Sequence, residues 1–236
     1  MYTSFDFKKF IFINVSLKSE RFINKDSINR NMKKLERIYR EILIGVLDKR
    51  ISFTQLEISK NCKIALGHVN KIIKKLEQIG ALEIMQRNFK VIDPSRILMH
   101  WCIVRKIKVE TISFSINLSV EDSEKTIPGV ALFTAFSAWK FLKKRVPIDY
   151  REVYVYINEK NKKIFDLWLS KQEINKNGLP NLYIIYSKDD HLFRNSKNNI
   201  VPIPQIIVDT YSISNISSKY FFSDMLKEYN EFNFEI

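Results

Sequence analysis

The stretch Ser52–Ile92, SFTQLEISKNCKIALGHVNKIIKKLEQIGALEIMQRNFKVI, carries the spacing that decides the fold of the N-terminal half of this chain. Its first part, Ser52–Asn61, opens with polar capping residues and predicts a short helix, after which Cys62–Ile64 predicts a turn. The segment Ala65–Gln78 predicts a longer helix, which ends before Gly80 because glycine is typical of helix ends. Two helices joined by a short turn indicate a helix-turn-helix.

The second predicted helix has one apolar face and one polar face. Its apolar residues follow the helical period and share one side; they are Val69, Ile72, Ile73 and Leu76. A helix with its polar side open in this way fits the major groove of DNA. The residues of this helix expected to contact DNA are Ala65, Gly67, His68, Asn70, Lys71, Lys74 and Lys75.

Two short apolar runs after the second helix predict a β-hairpin, the wing of a winged helix-turn-helix. The runs are Leu82–Met85 and Phe89–Ile92, joined by a polar tip. A basic hairpin tip reaches the DNA backbone beside the groove, and the residues expected to do so are Arg87, Asn88 and Lys90. Residues 28–93 are therefore predicted to form one domain, whose first helix runs from a cap at Asp26-Ser27 to about Leu47.

The positive charge is concentrated in the N-terminal half of the chain. Residues 1–110 hold 23 lysine and arginine residues and 11 aspartate and glutamate residues, a net charge of +12. Residues 111–236 hold 16 and 15, a net charge of +1. A composition bias toward lysine would act on both halves, so charge on one half alone favours binding to the phosphates of double-stranded DNA.

The remaining residues predict a linker helix and a second domain. Asp93 as N-cap and Pro94 at the first helical position begin a helix over residues 94–107. Alternating strand and helix patterns then predict a mixed α/β domain over residues 108–236. The predicted fold class is α+β, with an N-terminal winged helix-turn-helix followed by that domain. Residues 1–27 fit no part of this pattern and are treated as a separate N-terminal arm.

Three segments of the second domain carry specific predictions. Val109–Val120 alternates apolar and polar residues and predicts a strand, followed by a polar turn at Glu121–Lys125. Gly129–Leu142 is apolar nearly all round and predicts a buried helix.

No cofactor, metal ion or membrane is expected. Cys62 and Cys102 form neither a disulfide framework nor a zinc motif, and both are predicted to be small buried residues. The three histidines show no metal-binding spacing, and no glycine-rich phosphate loop occurs. The apolar runs are shorter than the roughly 20 residues that cross a bilayer. We expect a cytoplasmic protein that is not an enzyme.

A different class of function remains open, a metal-dependent nuclease in which the winged helix only docks DNA. Its candidate residues are Asp149 and Glu152 before a predicted strand, with Lys160 downstream. A third reading is a protein-interaction module that uses the winged helix to contact protein. Dense aromatic residues in the second domain fit a sheet and its covering helices, and alternatively a surface for a partner protein or for a homodimer.

The order of elements resembles that of the AbiEi-like transcriptional regulators, the antitoxins of abortive-infection toxin–antitoxin pairs. The resemblance is carried by a winged helix followed by Asp93–Trp101 (DPSRILMHW), Gly129–Leu142 (GVALFTAFSAWKFL) and Val201–Asp209 (VPIPQIIVD). It implies a DNA-binding regulator of its own operon. It also implies a cognate nucleotidyltransferase toxin as a partner, bound through residues 108–236.

Overall fold

The computed structural model describes residues 22–233, with side chains described for residues 33–229. The fold mixes helices and strands, as the sequence predicts. Most of the predicted N-terminal arm lies outside the described residues, but its last six residues belong to the first helix, Phe22–Leu47. That helix begins before the predicted cap because no proline interrupts the sequence there. In the described part of the chain, no helix has the length and apolar character needed to span a membrane.

The N-terminal half contains a small antiparallel sheet packed against helices. Its elements are α1 (Phe22–Leu47), β1 (Ser52–Phe53), α2 (Gln55–Cys62), α3 (Leu66–Gln78), β2 (Leu82–Ile84) and β3 (Phe89–Val91). The strand order is β1-β3-β2, so β3 is central. Phe53 pairs with Phe89 across the sheet, and their stacked rings lie 5.7 Å apart between centroids. The helix predicted from Ser52 begins only at Gln55, because Ser52 and Phe53 pair with β3 as strand β1. The other helices and strands of this half lie close to their predicted positions.

Local capping interactions explain where these elements start and stop. Thr54 Oγ1 accepts a hydrogen bond of 3.1 Å from the backbone N–H of Glu57, which caps α2. Gly80 has a φ of +69°, so it supplies the left-handed residue that ends α3. Asp93 Oδ1 accepts from the backbone N–H of Ser95 at 3.0 Å, which caps the next helix as predicted.

The second half is built on a mixed sheet. Its elements are α4 (Pro94–Val104), α5 (Ile107–Glu110), β4 (Ile112–Phe114), α6 (Val120–Thr126), β5 (Ala131–Thr134), α7 (Ala135–Lys143), β6 (Val153–Asn158), α8 (Lys162–Leu169), β7 (Leu182–Ser187), α9 (Asp190–Arg194), α10 (Ile203–Ser212) and α11 (Ile216–Asn233). The strand order is β4-β7-β6-β5, with β6 and β7 parallel and both outer strands antiparallel to their neighbours. Residues 153–157 are all buried, so both faces of the central strand β6 are covered.

The prediction of one buried helix over Gly129–Leu142 is wrong in its first part. Ala131–Thr134 forms β5, which pairs antiparallel with β6, and a helix begins only at Ala135. Ala135 has a φ of 52°, so the chain turns sharply at this junction. A short apolar run fits a buried strand as well as a buried helix, and the free edge of β6 decides between them.

The predicted strand over Val109–Val120 is also too long. Strand β4 covers Ile112–Phe114, and the short helix α5 precedes it. The predicted polar turn at Glu121–Lys125 lies instead within helix α6, because Ser119 Oγ accepts from the backbone N–H of Asp122 at 3.0 Å and caps it. The predicted linker helix likewise ends at Val104 rather than near residue 107.

Candidate nucleic-acid interface

Helix α3 separates its apolar and basic side chains as its sequence predicts. The four residues of its apolar stripe are at most 5% exposed; they are Val69, Ile72, Ile73 and Leu76. Lys71, Lys74 and Lys75 are exposed on the other side. This separation follows from the 3.6-residue period, and it leaves three ammonium groups on one open helix face.

The first turn of α3 combines the small residues Ala65 and Gly67 with Leu66, whose side chain is 47% exposed. Ala65 is the N-cap residue, and within the described residues no side chain makes a capping hydrogen bond to this helix start. Gly67 is exposed, and a Cβ built on it would meet no described atom within 4 Å. Packing inside the fold therefore gives no reason for glycine at this position, although glycine disfavours a helix.

Two other predicted residues of α3 are half-buried and differ in role. Asn70 Nδ2 donates a hydrogen bond of 3.0 Å to Gln55 Oε1, so this amide ties α3 to α2. His68 has a pKa below its ordinary value because of partial burial and the nearby charges of Lys34 and Lys71. Lys34 on α1 thus adds charge beside the α3 face, a neighbour that sequence spacing could not place.

The hairpin brings Arg87 and Lys90 to the surface, while Asn88 bonds within the fold. Arg87 is exposed at the tip between β2 and β3. Asn88 is half-buried, and its Nδ2 donates to Ser52 Oγ at 3.0 Å, which ties the tip to β1. Lys90 is exposed on β3 and pairs in register with Glu83. Arg87 and Lys90 are therefore the predicted hairpin residues with access to a ligand.

Helix α1 is joined to the second half of the chain by the buried guanidinium of Arg40. Arg40 is 1% exposed, although arginine is almost never fully buried unless it is paired. Its Nη1 donates to Asp189 Oδ2 at 2.9 Å, and its Nε and Nη2 donate to Gln205 Oε1 at 3.0 and 2.8 Å. Arg37 Nε also lies 2.7 Å from Asp189 Oδ1. These contacts could not be predicted from local sequence, because a charged residue at the edge of an apolar stripe normally faces solvent.

A second buried polar group surrounds Asp209, which is 0% exposed. It accepts hydrogen bonds from Arg105 Nε at 3.0 Å, Thr134 Oγ1 at 2.8 Å, Tyr156 Oη at 2.9 Å and Gln205 Nε2 at 2.9 Å. Arg105 is 4% exposed, so its charged group is buried together with its stem. These donors come from different elements, so Asp209 joins α4, β5, β6 and α10 in one core.

Arg105 extends this core to α1. Its Nη1 lies 3.1 Å from Glu36 Oε1 and 3.2 Å from Glu110 Oε2. Burial raises the pKa of Glu36, and the charge of Arg105 opposes that rise without cancelling it. The two halves of the chain therefore share a buried hydrogen-bonded junction.

One group at this junction has the residue types of a metal site. A carboxylate oxygen of Glu41, the sulfur of Cys62 and a ring nitrogen of His191 all lie within 4.8 Å of one another. Arg40 can only donate, so His191 Nδ1, 3.1 Å from Arg40 Nη1, accepts, and Nε2 carries the ring proton toward Glu41 Oε2 at 2.8 Å.

The protons of this group oppose metal binding. A ligating Nε2 would have to give up its proton to Nδ1, where it would face the Arg40 N–H. Burial raises the pKa of the Cys62 thiol to about 12, and its sulfur donates a hydrogen bond of 3.4 Å to the Arg37 carbonyl. We therefore interpret Glu41, Cys62 and His191 as packing and hydrogen-bonding partners.

The residues considered for nuclease chemistry do not come together. Glu152 precedes β6, where its Oε2 accepts from Tyr154 Oη at 2.8 Å and Asn215 Nδ2 at 3.0 Å. Lys160 follows the other end of the same strand. At about 3.3 Å per residue, the length of β6 separates them by roughly 20 Å. Asp149 is exposed.

The aromatic residues of the second half divide into core and surface. Tyr154, Tyr156 and Phe221 are buried, which fits the sheet-and-helix interpretation. Tyr211 and Tyr220 are 42% and 55% exposed near the junction of α10 and α11. Any aromatic surface for a partner would include this corner.

Comparisons of the chain with protein-family models, curated proteins and solved structures give no match. Its function is therefore inferred from its own residues.

Proposed function

We propose that residues 28–93 form a winged helix-turn-helix that binds double-stranded DNA, and that the protein is a transcriptional regulator in the cytoplasm. The arrangement of α1, α2 and α3 with a sheet of order β1-β3-β2 supports the motif. The observation that carries the proposal is the α3 face, where Lys71, Lys74 and Lys75 are exposed opposite a buried apolar stripe. The net charge of +12 on residues 1–110 adds to it.

The α3 lysines are assigned to phosphate contacts, and Arg87 at the hairpin tip to the neighbouring backbone. The first turn of α3, with Ala65 and Gly67, is assigned to close approach to the groove. Asn70 and Asn88 are assigned mainly to holding the helix pair and the hairpin in place, because both already bond inside the fold.

The regulator is further proposed to act as an antitoxin of its own operon, as the resemblance to AbiEi-like proteins implies. Residues 108–236 would then bind the cognate toxin, and the exposed aromatic corner at Tyr211 and Tyr220 offers a surface for it. The test is co-purification of the full chain with the product of the adjacent gene. A Tyr211→Ser/Tyr220→Ser variant is expected to lose that product while keeping its DNA affinity.

DNA binding is tested by replacing Lys71, Lys74 and Lys75 with alanine in the full chain. Each phosphate contact contributes about 0.9 to the slope of log affinity against log salt, so three contacts would flatten the slope by about 2.7. The probe is a duplex from the region upstream of the protein's own gene. The matched control replaces Lys163, Lys171 and Lys197, three exposed lysines of the second half, with alanine. Equal slopes in both triple variants would refute the proposed interface.

A further inference from the structure

The turn between α2 and α3 is held from the second half of the chain. Asn61, in the last turn of α2, makes two contacts outside its own helix. Its side-chain Nδ2 donates to Glu41 Oε1 at 2.7 Å, and its backbone carbonyl accepts from Arg194 Nη2 at 3.0 Å. Arg194 ends the short helix α9, which is remote in sequence from the helix pair.

The same short segment of the second half contacts α1 at two further places. Asp189 pairs with Arg37 and Arg40, and His191 Nε2 donates to Glu41 Oε2. Residues 189–194 therefore contact both helices that support α3. We name residues 189–194 the α9 segment.

The position of this turn determines how α3 is presented. Lys63 has a left-handed φ of 55°, and Ser59 Oγ donates to the Ile64 carbonyl at 2.6 Å, so the turn has one defined shape. The next residue, Ala65, starts the helix. A shift at Asn61 would therefore move the lysine face of α3 relative to Arg87 on the hairpin.

We infer that Arg194 is a positioning residue for DNA binding, through which the second half sets the orientation of α3. This inference rests on the proposed function and adds a route for its regulation. A partner bound to the second half that displaces the α9 segment would weaken DNA binding without covering the DNA face. The link is a set of direct hydrogen bonds, which is one of the physical connections that can carry such coupling.

The test uses the full-length Arg194→Met variant, because Arg194 is exposed and its loss should leave the fold intact. The control is Lys197→Met, which removes the same charge from an exposed residue nearby. Affinity for the upstream duplex is expected to fall by about threefold to tenfold in Arg194→Met only. The salt slope should stay at the wild-type value because no phosphate contact is lost. Arg194→Lys, which keeps a charged donor, is expected to recover most of the affinity.

A structural readout accompanies the titration. Amide hydrogen exchange at Ile64 and Ala65 is expected to be faster in Arg194→Met than in Lys197→Met. Equal affinities of these two variants would overturn the inference. So would a salt slope that becomes shallower by about one in Arg194→Met, because Arg194 would then itself contact phosphate. A wild-type chain without DNA affinity would instead refute the proposed function.

Discussion

Arg40 and Asp189 form a buried ion pair across the two halves of the chain, with Arg40 Nη1 2.9 Å from Asp189 Oδ2. The two residues are 149 positions apart, and their side chains are 2% and 7% exposed. Arg40 also donates to Gln205 and His191. Its N–H groups have acceptors at this depth, and these hydrogen bonds and the ion pair offset the desolvation penalty of burying the guanidinium. Arg40 therefore fixes α1 against the start of α9 through Asp189 and against α10 through Gln205.

Replacing Asp189 with asparagine should strongly destabilise the protein. The change keeps the shape of the side chain but leaves Arg37 and Arg40 without their carboxylate. Breaking one partner of a buried pair costs about 3 kcal/mol or more. Denaturant unfolding at neutral pH measures the loss. Glu121→Gln is the control, since its pair with Lys125 at 2.7 Å is exposed and should contribute little. Equal midpoints for the two variants would contradict the importance of the Arg40–Asp189 pair.

The contribution of Asp189 should depend on pH. Burial alone would raise the pKa of Asp189, but the charges of Arg40 and Arg37 outweigh it and hold the pKa below its ordinary value of 3.8. A carboxyl with a lowered pKa stabilises the fold above the ordinary value and loses that effect as pH falls through the folded value. The difference in unfolding free energy between wild type and Asp189→Asn should therefore shrink from pH 7 to pH 3. A constant difference over this range would contradict the prediction.

Replacing Gly45 or Gly67 with alanine should change the stability of the protein in opposite directions. A Cβ on Gly45 would lie 2.6 Å from Phe53 Cε1, so Gly45→Ala should push β1 away from α1 and cost about 1–3 kcal/mol. A Cβ on Gly67 meets open space, so Gly67→Ala should stabilise α3 by up to about 1 kcal/mol. Thermal unfolding of both variants shows whether each substitution raises or lowers stability. A destabilised Gly67→Ala protein would show a packing constraint at this position.

The same Gly67→Ala variant separates folding from binding. If the open side of Gly67 is where DNA approaches, the added methyl group should weaken binding to the upstream duplex while the protein becomes more stable. The weaker binding could then not be attributed to unfolding, because the variant would be more stable than the wild type. An unchanged affinity would show that Gly67 lies outside the proposed DNA interface. The lysine face of α3 would then be its main part.

The hairpin provides a further prediction. Arg87→Ala should weaken DNA binding and flatten the salt slope by about 0.9, because Arg87 is exposed at the tip. Gln86→Ala is the neighbouring control, as it removes an exposed side chain without a charge. A titration of both variants at two salt concentrations measures the effect. Identical slopes would mean that the hairpin lies away from DNA.

The sequence by itself determined the elements that depend on local physics. The helical period of Val69, Ile72, Ile73 and Leu76 fixes which side of α3 is buried. The capping groups of Thr54 and Asp93 and the conformational freedom of Gly80 fix where helices start and stop. These interactions act within a few residues, so the helix boundaries and the buried face can be predicted without knowledge of the rest of the fold.

Only the tertiary structure decided the features that depend on distant partners. Ala131–Thr134 is a strand because β6 offers an edge to pair with, not because its residues exclude a helix. Arg40 and Arg105 are buried because acceptors from remote segments surround them, among them Asp189 and Asp209. A charged side chain is far more stable in water than in an unpaired core, so its burial depends on acceptors that local sequence cannot reveal.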